Sequence, residues 1–489
     1  MTPTVIFICV AIYSVLLFII TWLTSRNATN DTFYHGNRSS RWYVVAYGMI
    51  GASLSGVTFM SVPGLVGATH FAYMQMVMGY LVGYTVIATL LLPLYYRLNL
   101  TSIYSYLHQR FGFWSYKTGA FFFILSRTIG SAFRLYIVVN VLQVFVFDAW
   151  GIPFYATTAT FILLILLYTY QGGVKTIVWT DTLQTTFMLL AVVLSLFAIS
   201  SALNTSVSAL VSTVFSSDSS KLFVWDWHSK FFFPKQFFGG MFIAITMTGL
   251  DQEMMQKNIS CKNIGEAQKN MFTFSGILLF VNLMFLVLGA ILLTYVAAKG
   301  IELPKKSDDL FPMIALQFLG PVSGIVFIIG LISAAYPSAD GALTALTTSF
   351  CIDILGIQEN PKLSDAKRKT IRHAVHIGFA LLLLLVVVVF RIINNEAVVN
   401  MVFKVANYTY GPLLGLFAFG LFNKQALKDK LVPFACLLAP ILCYFISENS
   451  KTLLGGYEFG NELLILNGFL TFLLLLAVRE SKSKVTTPS

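Results

Sequence analysis

Between Phe318 and Leu355 the sequence reads FLGPVSGIVFIIGLISAAYPSADGALTALTTSFCIDIL. Its second half carries Ser333, Tyr336, Pro337, Ser338, Asp340, Gly341, Thr344, Thr347 and Thr348 in a stretch otherwise apolar enough to face lipid. Small and hydroxyl residues at three- and four-residue spacing place oxygens on one helical face. A carboxylate at membrane depth costs roughly 2.5–3.5 kcal/mol on insertion scales, so Asp340 calls for a partner or a task. Oxygen ligands beside a carboxylate suit a hard cation such as sodium. The same residues would also serve close helix packing, with Asp340 neutral or salt-bridged. Asp181, in IVWTDTLQ, lies too deep in another span to be a helix cap. Asp181 and Asp340 are the carboxylates that fall clearly within spans. Lys404, within a later span, is their candidate charge partner. Two carboxylates and one ammonium leave one negative charge, which sodium or a proton would neutralise.

Two spans are interrupted. In VVAYGMIGASLSGVTFMSVPGLVGA, Gly48, Gly51, Ser53, Ser55, Gly56, Thr58, Pro63 and Gly64 break the apolar run. Glycine and proline free backbone carbonyls, and such backbone is tolerated at membrane depth only where protein or a watery cavity surrounds it. FFGGMFIAITMTGLDQEMMQK is interrupted in the same way five spans later. That spacing points to two inverted repeats of five helices, each opening on a discontinuous helix. Arg127 and Arg134 share a helix face; they could hold an anionic substrate, but pairing within the bundle is the expectation for both. His373 and His376 are too few for a metal site and read as structural.

The elements that position these residues are membrane helices. The 489-residue chain is 57% hydrophobic and 11% charged, with mean hydropathy +0.77; soluble domains carry about 25% charged residues. The apolar pattern predicts thirteen spans, near 4–24, 43–67, 73–97, 117–147, 154–171, 177–202, 237–256, 271–297, 318–350, 373–393, 397–422, 430–447 and 461–478. With the N-terminus outside and the C-terminus cytoplasmic, 21 of the 32 Lys and Arg fall in inside segments and 8 in outside ones. This asymmetry follows the positive-inside rule. The net charge of +11 is therefore topological, and no nucleic-acid partner is implied. Five scattered cysteines without a C-x-x-C imply no disulfide or metal framework. No P-loop, GxGxxG, GxSxG or HExxH is present, and no enzyme activity is expected.

The chain resembles the sodium:solute symporter family over most of its length, close to the branch of bacterial sialic-acid and sugar symporters. The matching pieces are SLSGVTFMSVPG (53–64), TSIYSYLHQRFG (101–112), YTYQGGVKTIVWTDTLQ (168–184), DQEMMQK (251–257) and AAYPSADGALTALTTSFCIDIL (334–355). The resemblance implies a LeuT-like core in one all-α transporter domain, 1–489. Helix 4–24 would be peripheral, the repeats would span 43–202 and 237–422, and helices 430–478 would be peripheral again. It implies alternating access in a bacterial inner membrane, sodium as coupling ion and a small solute as cargo, with a monomer expected. Family positions carry the first sodium site to Gly51, Leu54, Ala334, Pro337 and Ser338. Pro337 stands where a serine is usual, so that hydroxyl is absent. A second site would use Asp181, with Asp340 and Gly341 where family serines stand. Solute contacts map to Ser55, Gly56 and Thr58. The sialic-acid-binding arginine aligns near Gly130, so a neutral sugar or another small polar solute is the first expectation. Coupling to protons or potassium, or a non-transporting membrane sensor on the same scaffold, are the rival readings.

Overall fold

A computed structural model describes the backbone of residues 2–25, 40–393 and 397–480, and the side chains of all these except 24–25 and 170–175. It is all-helical. Among the described residues the β-type pairings are two isolated bridges, Ser40 with Cys261 and Leu427 with Arg479. The helices are α1 (Pro3–Ser25), α2 (Trp42–Thr69), α3 (Tyr73–Arg97), α4 (Phe113–Trp150), α5 (Phe154–Ala202), α6 (Phe233–Ala244), α7 (Gln252–Ile259), α8 (Ile264–Lys299), α9 (Gly320–Ile354), α10 (Asp365–Ile393), α11 (Val398–Thr409), α12 (Gly411–Phe422), α13 (Val432–Glu448) and α14 (Leu463–Ala477).

Nine helices among the described residues are long and apolar enough to cross a bilayer, or ten if α11 and α12, bent by 45°, count as one span. The thirteen spans expected from hydropathy are not all of that kind. The spans near 154–171 and 177–202 fall on one element, α5. The apolar helix α14 has 15 residues, and the span near 237–256 is divided between α6 and α7.

Both interrupted stretches break. In α2 the helical dihedrals fail at Ser55 (φ 44°, ψ 174°), a conformation uncommon outside glycine. Between α6 and α7, a π-turn at Ile245–Gly249 is followed by extended backbone at Asp251 (φ −106°, ψ 123°). The carbonyls freed there find donors: the Tyr95 hydroxyl donates to Gly249 O and the Tyr104 hydroxyl to Leu250 O, both at 2.8 Å. This is how non-helical backbone survives where water is excluded.

The broken helices sit at the centre. The most apolar 18 residues of α2 are 89% buried, against 33% for α1 and α10. Helices α3 and α6 cross through glycine: a Cβ on Gly79 would lie under 3.0 Å from the Phe237 carbonyl, and one on Gly240 under 3.0 Å from the Met76 carbonyl. Close backbone approach through small residues is the usual means of helix association in lipid. Helix α1 also reaches the central stretch. The Ser333 hydroxyl donates to the Tyr13 hydroxyl (2.8 Å), and Tyr13 stacks on Tyr336 at 6.1 Å between ring centroids.

Candidate functional site

The hydroxyls of α9 do not share one task. Ser333 and Tyr336 turn toward α1, and Thr347 meets His376 Nδ1 at 2.9 Å. The other ring nitrogen of His376 meets Thr169 at 2.9 Å, so this buried histidine ties α5, α9 and α10 together. Ser338 and Thr344 differ: both are buried, and neither hydroxyl has a hydrogen-bond partner among the described residues. Such a group is costly in a protein interior unless a water molecule or an ion completes it. Gly51, Leu54 and Ala334 are also buried, on α2 and α9, which pack on each other. The Gly51 N–H donates to Thr185 Oγ1 (3.0 Å), joining α2 to α5.

Asp181 and Asp340 are each fully buried. Asp340 accepts from the Tyr168 hydroxyl (2.8 Å) and from the Gly341 N–H (2.5 Å). Asp181 Oδ2 lies 2.7 Å from Lys257 Nζ, while Asp181 Oδ1 is buried without a partner. The cation beside Asp181 is thus Lys257, not Lys404. Lys404 is exposed and lines a separate cavity of about 400 Å³ with Asn407, Glu448, Lys451 and Glu458. Lys257 also lies 3.1 Å from Glu253 Oε1, one helical turn back on α7. Glu253 pairs in turn with Arg127 of α4, whose Nη1 is 3.6 Å from Asp251 Oδ2. Asp251 caps α7, accepting from the backbone N–H of Glu253 (3.0 Å) and of Met254 (3.3 Å), and it accepts the Tyr410 hydroxyl at 2.9 Å. Three carboxylates, Asp181, Glu253 and Asp251, therefore face two cations in one buried chain of contacts.

Asp251, Glu253 and Lys257 are the residues that sequence reasoning missed. They fall at the end of a span and in what reads as a basic inside loop. Every residue of α7 is buried, yet the helix is polar and eight residues long, so hydropathy cannot mark it. The available signal was the Glu253–Lys257 spacing of four within DQEMMQK, the favourable helical order for an ion pair.

Next to this network, with Arg127 in its wall, a cavity of about 80 Å³ opens at the break of α2. Leu54, Ser55 and Thr58 line it, with Tyr73, Tyr80, Tyr84, Arg127, Arg134, Thr248, Asn282 and Phe403 among the other walls. Gly56, expected to contact solute, does not line it. A Cβ on Gly56 would lie 2.5 Å from Val138 Cγ2, so this residue faces α4. Its position one residue past the break turns it away. Phe403 lines both cavities and stands between them. Outside the spans, Asp308 Oδ2 accepts the Val398 N–H at the start of α11 (3.0 Å). Burial pushes the Asp308 carboxyl above its ordinary range, while the Val398 and Ser61 hydrogen bonds draw it back.

Thr58→Val keeps the shape of the cavity wall and removes one hydroxyl. It is expected to weaken solute binding by roughly threefold to tenfold, the worth of one net hydrogen bond, and to leave sodium binding nearly unchanged. Paired binding measurements on the purified protein check this. Equal loss of both would mark a folding defect, and unchanged solute affinity would take Thr58 off the contact surface.

Comparison with known proteins agrees with this architecture. Among solved structures, a Na+-coupled sialic acid symporter in a substrate-bound outward-open state superposes with a TM-score of 0.81 at 20% identity, covering 96% of this chain and 97% of that one. The inward-facing form of Mhp1 gives 0.53 at 13% identity, over 93% and 94%. Both show the shared LeuT-like fold. In sequence, the chain is 24% identical to the sodium/sialic acid symporter NanT of Aliivibrio fischeri, over 82% of this chain and 79% of that protein. It is 22% identical to SiaT of Proteus mirabilis (83% and 82%) and 26% identical to the sodium-coupled monocarboxylate transporter 1 of Mus musculus (83% and 65%). The profile of one transporter family matches residues 33–429, which takes in both broken helices, the buried charge network and the cavity, and the chain belongs to that family, the sodium:solute symporters.

Proposed function

We propose that the protein couples sodium entry to the uptake of a small polar solute, with Gly51, Leu54, Ala334 and Ser338 holding the coupling ion. The unpartnered, fully buried hydroxyl of Ser338 carries this reading. A hard cation between α2 and α9 would complete it, and three backbone carbonyls there would supply further oxygens. Asp181 and Asp340 form a second cation position in the same reading. The free Oδ1 of Asp181 and the surplus of carboxylates over cations support it. Ser55 and Thr58 contact the solute across the break of α2, which faces the cavity. The repeats run over 43–202 and 237–422, the N-terminus lies outside, the C-terminus is cytoplasmic, and the working unit is a monomer in a bacterial cell membrane.

Sodium binding to the purified protein, followed with radioactive sodium, and uptake of a panel of sugars and organic acids into proteoliposomes test this together. Ser338→Ala is expected to raise the sodium concentration for half-saturation roughly tenfold to a hundredfold, since a contact to a charged group is worth roughly 1.5–3 kcal/mol. Uptake that is equal in sodium and in choline, and is driven by a pH gradient instead, would refute the reading.

A further inference from the structure

Among the described residues, α1 adds none to the buried charge network or to the wall of the cavity at the α2 break. It is nevertheless docked. Val10, Tyr13, Ser14 and Leu17 are buried on one face, and Ile12, Val15 and Ile19 are exposed on the others. Apolar side chains alone would pack such a helix, yet this face presents two hydroxyls, and both meet α9. The Ser333 hydroxyl donates to the Tyr13 hydroxyl at 2.8 Å, and the Tyr13 ring stacks on Tyr336 with 21° between the ring planes. Ser14 Oγ donates to the Val10 carbonyl, so the Tyr336 hydroxyl is the donor in its 3.2 Å contact with Ser14. Phe187 of α5 closes edge-on against the Tyr13 ring at 5.9 Å.

We infer that Tyr13 is a positioning residue of the ion site, setting sodium affinity by holding α9 in its ion-binding shape. Ser333 and Tyr336, three residues apart, form one face of α9. Ala334 and Ser338, four apart, form the face beside it, roughly 100° around the helix. The braced face and the ion-binding face therefore belong to the same stretch of helix. That stretch is weak by itself. Pro337 lies inside α9 and has no N–H for the Ser333 carbonyl, its partner in an unbroken helix. Ion ligands must be held to roughly 0.5 Å by the shell around them. A hydrogen bond and a ring stack from a neighbouring helix supply that restraint where the backbone ladder is interrupted. This inference rests on the sodium-coupled reading above and adds a residue that tunes the affinity.

Sodium alone is the probe, its binding measured with radioactive sodium on the purified full chain beside the unfolding temperature. Tyr13→Phe keeps the ring stack and removes the acceptor of the Ser333 hydroxyl; Ser333→Ala removes the donor. Each is expected to raise the sodium concentration for half-saturation roughly threefold to tenfold. The double variant should go no further than the larger of the two, since both cut the same bond. Leu17→Ala separates positioning from packing. It opens a void in the same buried face and is expected to lower the unfolding temperature more than Tyr13→Phe does, with sodium affinity unchanged. Unaltered sodium affinity in Tyr13→Phe and Ser333→Ala, while Ser338→Ala keeps its effect, would overturn the inference. So would a loss of affinity in Leu17→Ala equal to that in Tyr13→Phe. Absence of saturable sodium binding in the unmodified protein would overturn the sodium reading itself, and this inference with it.

Discussion

Lys257→Met is expected to destabilise the protein by roughly 3–5 kcal/mol and to abolish sodium-driven uptake. The ammonium is 3% exposed and sits between Asp181 (2.7 Å) and Glu253 (3.1 Å). Removing it leaves Asp181 with no cation and Glu253 with Arg127 alone, and an uncompensated buried charge carries a penalty of that size. Adding Asp181→Asn should recover a large part of the stability, because the two substitutions remove both members of one pair and their effects are coupled. Sodium-driven uptake should not return, since Asp181 is also the proposed ligand. Thermal unfolding of the four proteins of the cycle, with uptake measured on each, gives the coupling energy. Strict additivity would show that the pair contributes nothing. Lys404→Met, by contrast, should not rescue any substitution at Asp340, because Lys404 is exposed at a different cavity.

Gly341→Ala is expected to destabilise by about 1–3 kcal/mol and to impair transport, although it adds a single methyl group. A Cβ at Gly341 would lie under 3.0 Å from both Oε1 and Cδ of Glu253. The Glu253 carboxylate has no freedom to withdraw, being held by Lys257 on one oxygen and Arg127 on the other. The strain therefore reaches the ion pairs that connect α4, α5 and α7. The neighbouring Asp340 shares the consequence, because it accepts the Gly341 N–H. Gly276→Ala is the control. It is also helical, but nothing lies within 4 Å of its Cβ position, and it should be neutral or stabilising by a few tenths to about 1 kcal/mol. Unfolding temperatures of the two variants should separate clearly; equal values would mean that the Glu253 carboxylate is mobile after all.

The amino-acid sequence by itself determined that this chain is a bundle of membrane helices, because apolar length is a local property that the bilayer reads span by span. It also marked where two helices break, since Ser55 and Asp251 lie within stretches crowded with glycine and hydroxyls. That Asp181 and Asp340 are buried was legible for the same reason: each lies well inside an apolar run. Partnership was not legible. Lys257 lies on a short polar helix that hydropathy assigns to a loop, and it is buried only because α7 inserts among α2, α8 and α9. Lys404 lies within an apolar run and is nevertheless exposed, because its side of α11 faces a separate cavity. Arg127 and Arg134 share a face in sequence and part company in the fold, since Asp251 and Glu253 reach only the first. Gly56 illustrates the same limit at the scale of one residue: the dihedral break at Ser55 turns it toward Val138 while Ser55 and Thr58 face the cavity. Which helix faces meet is settled by the whole bundle, and a buried charge takes as its partner whatever that assembly brings within about 4 Å.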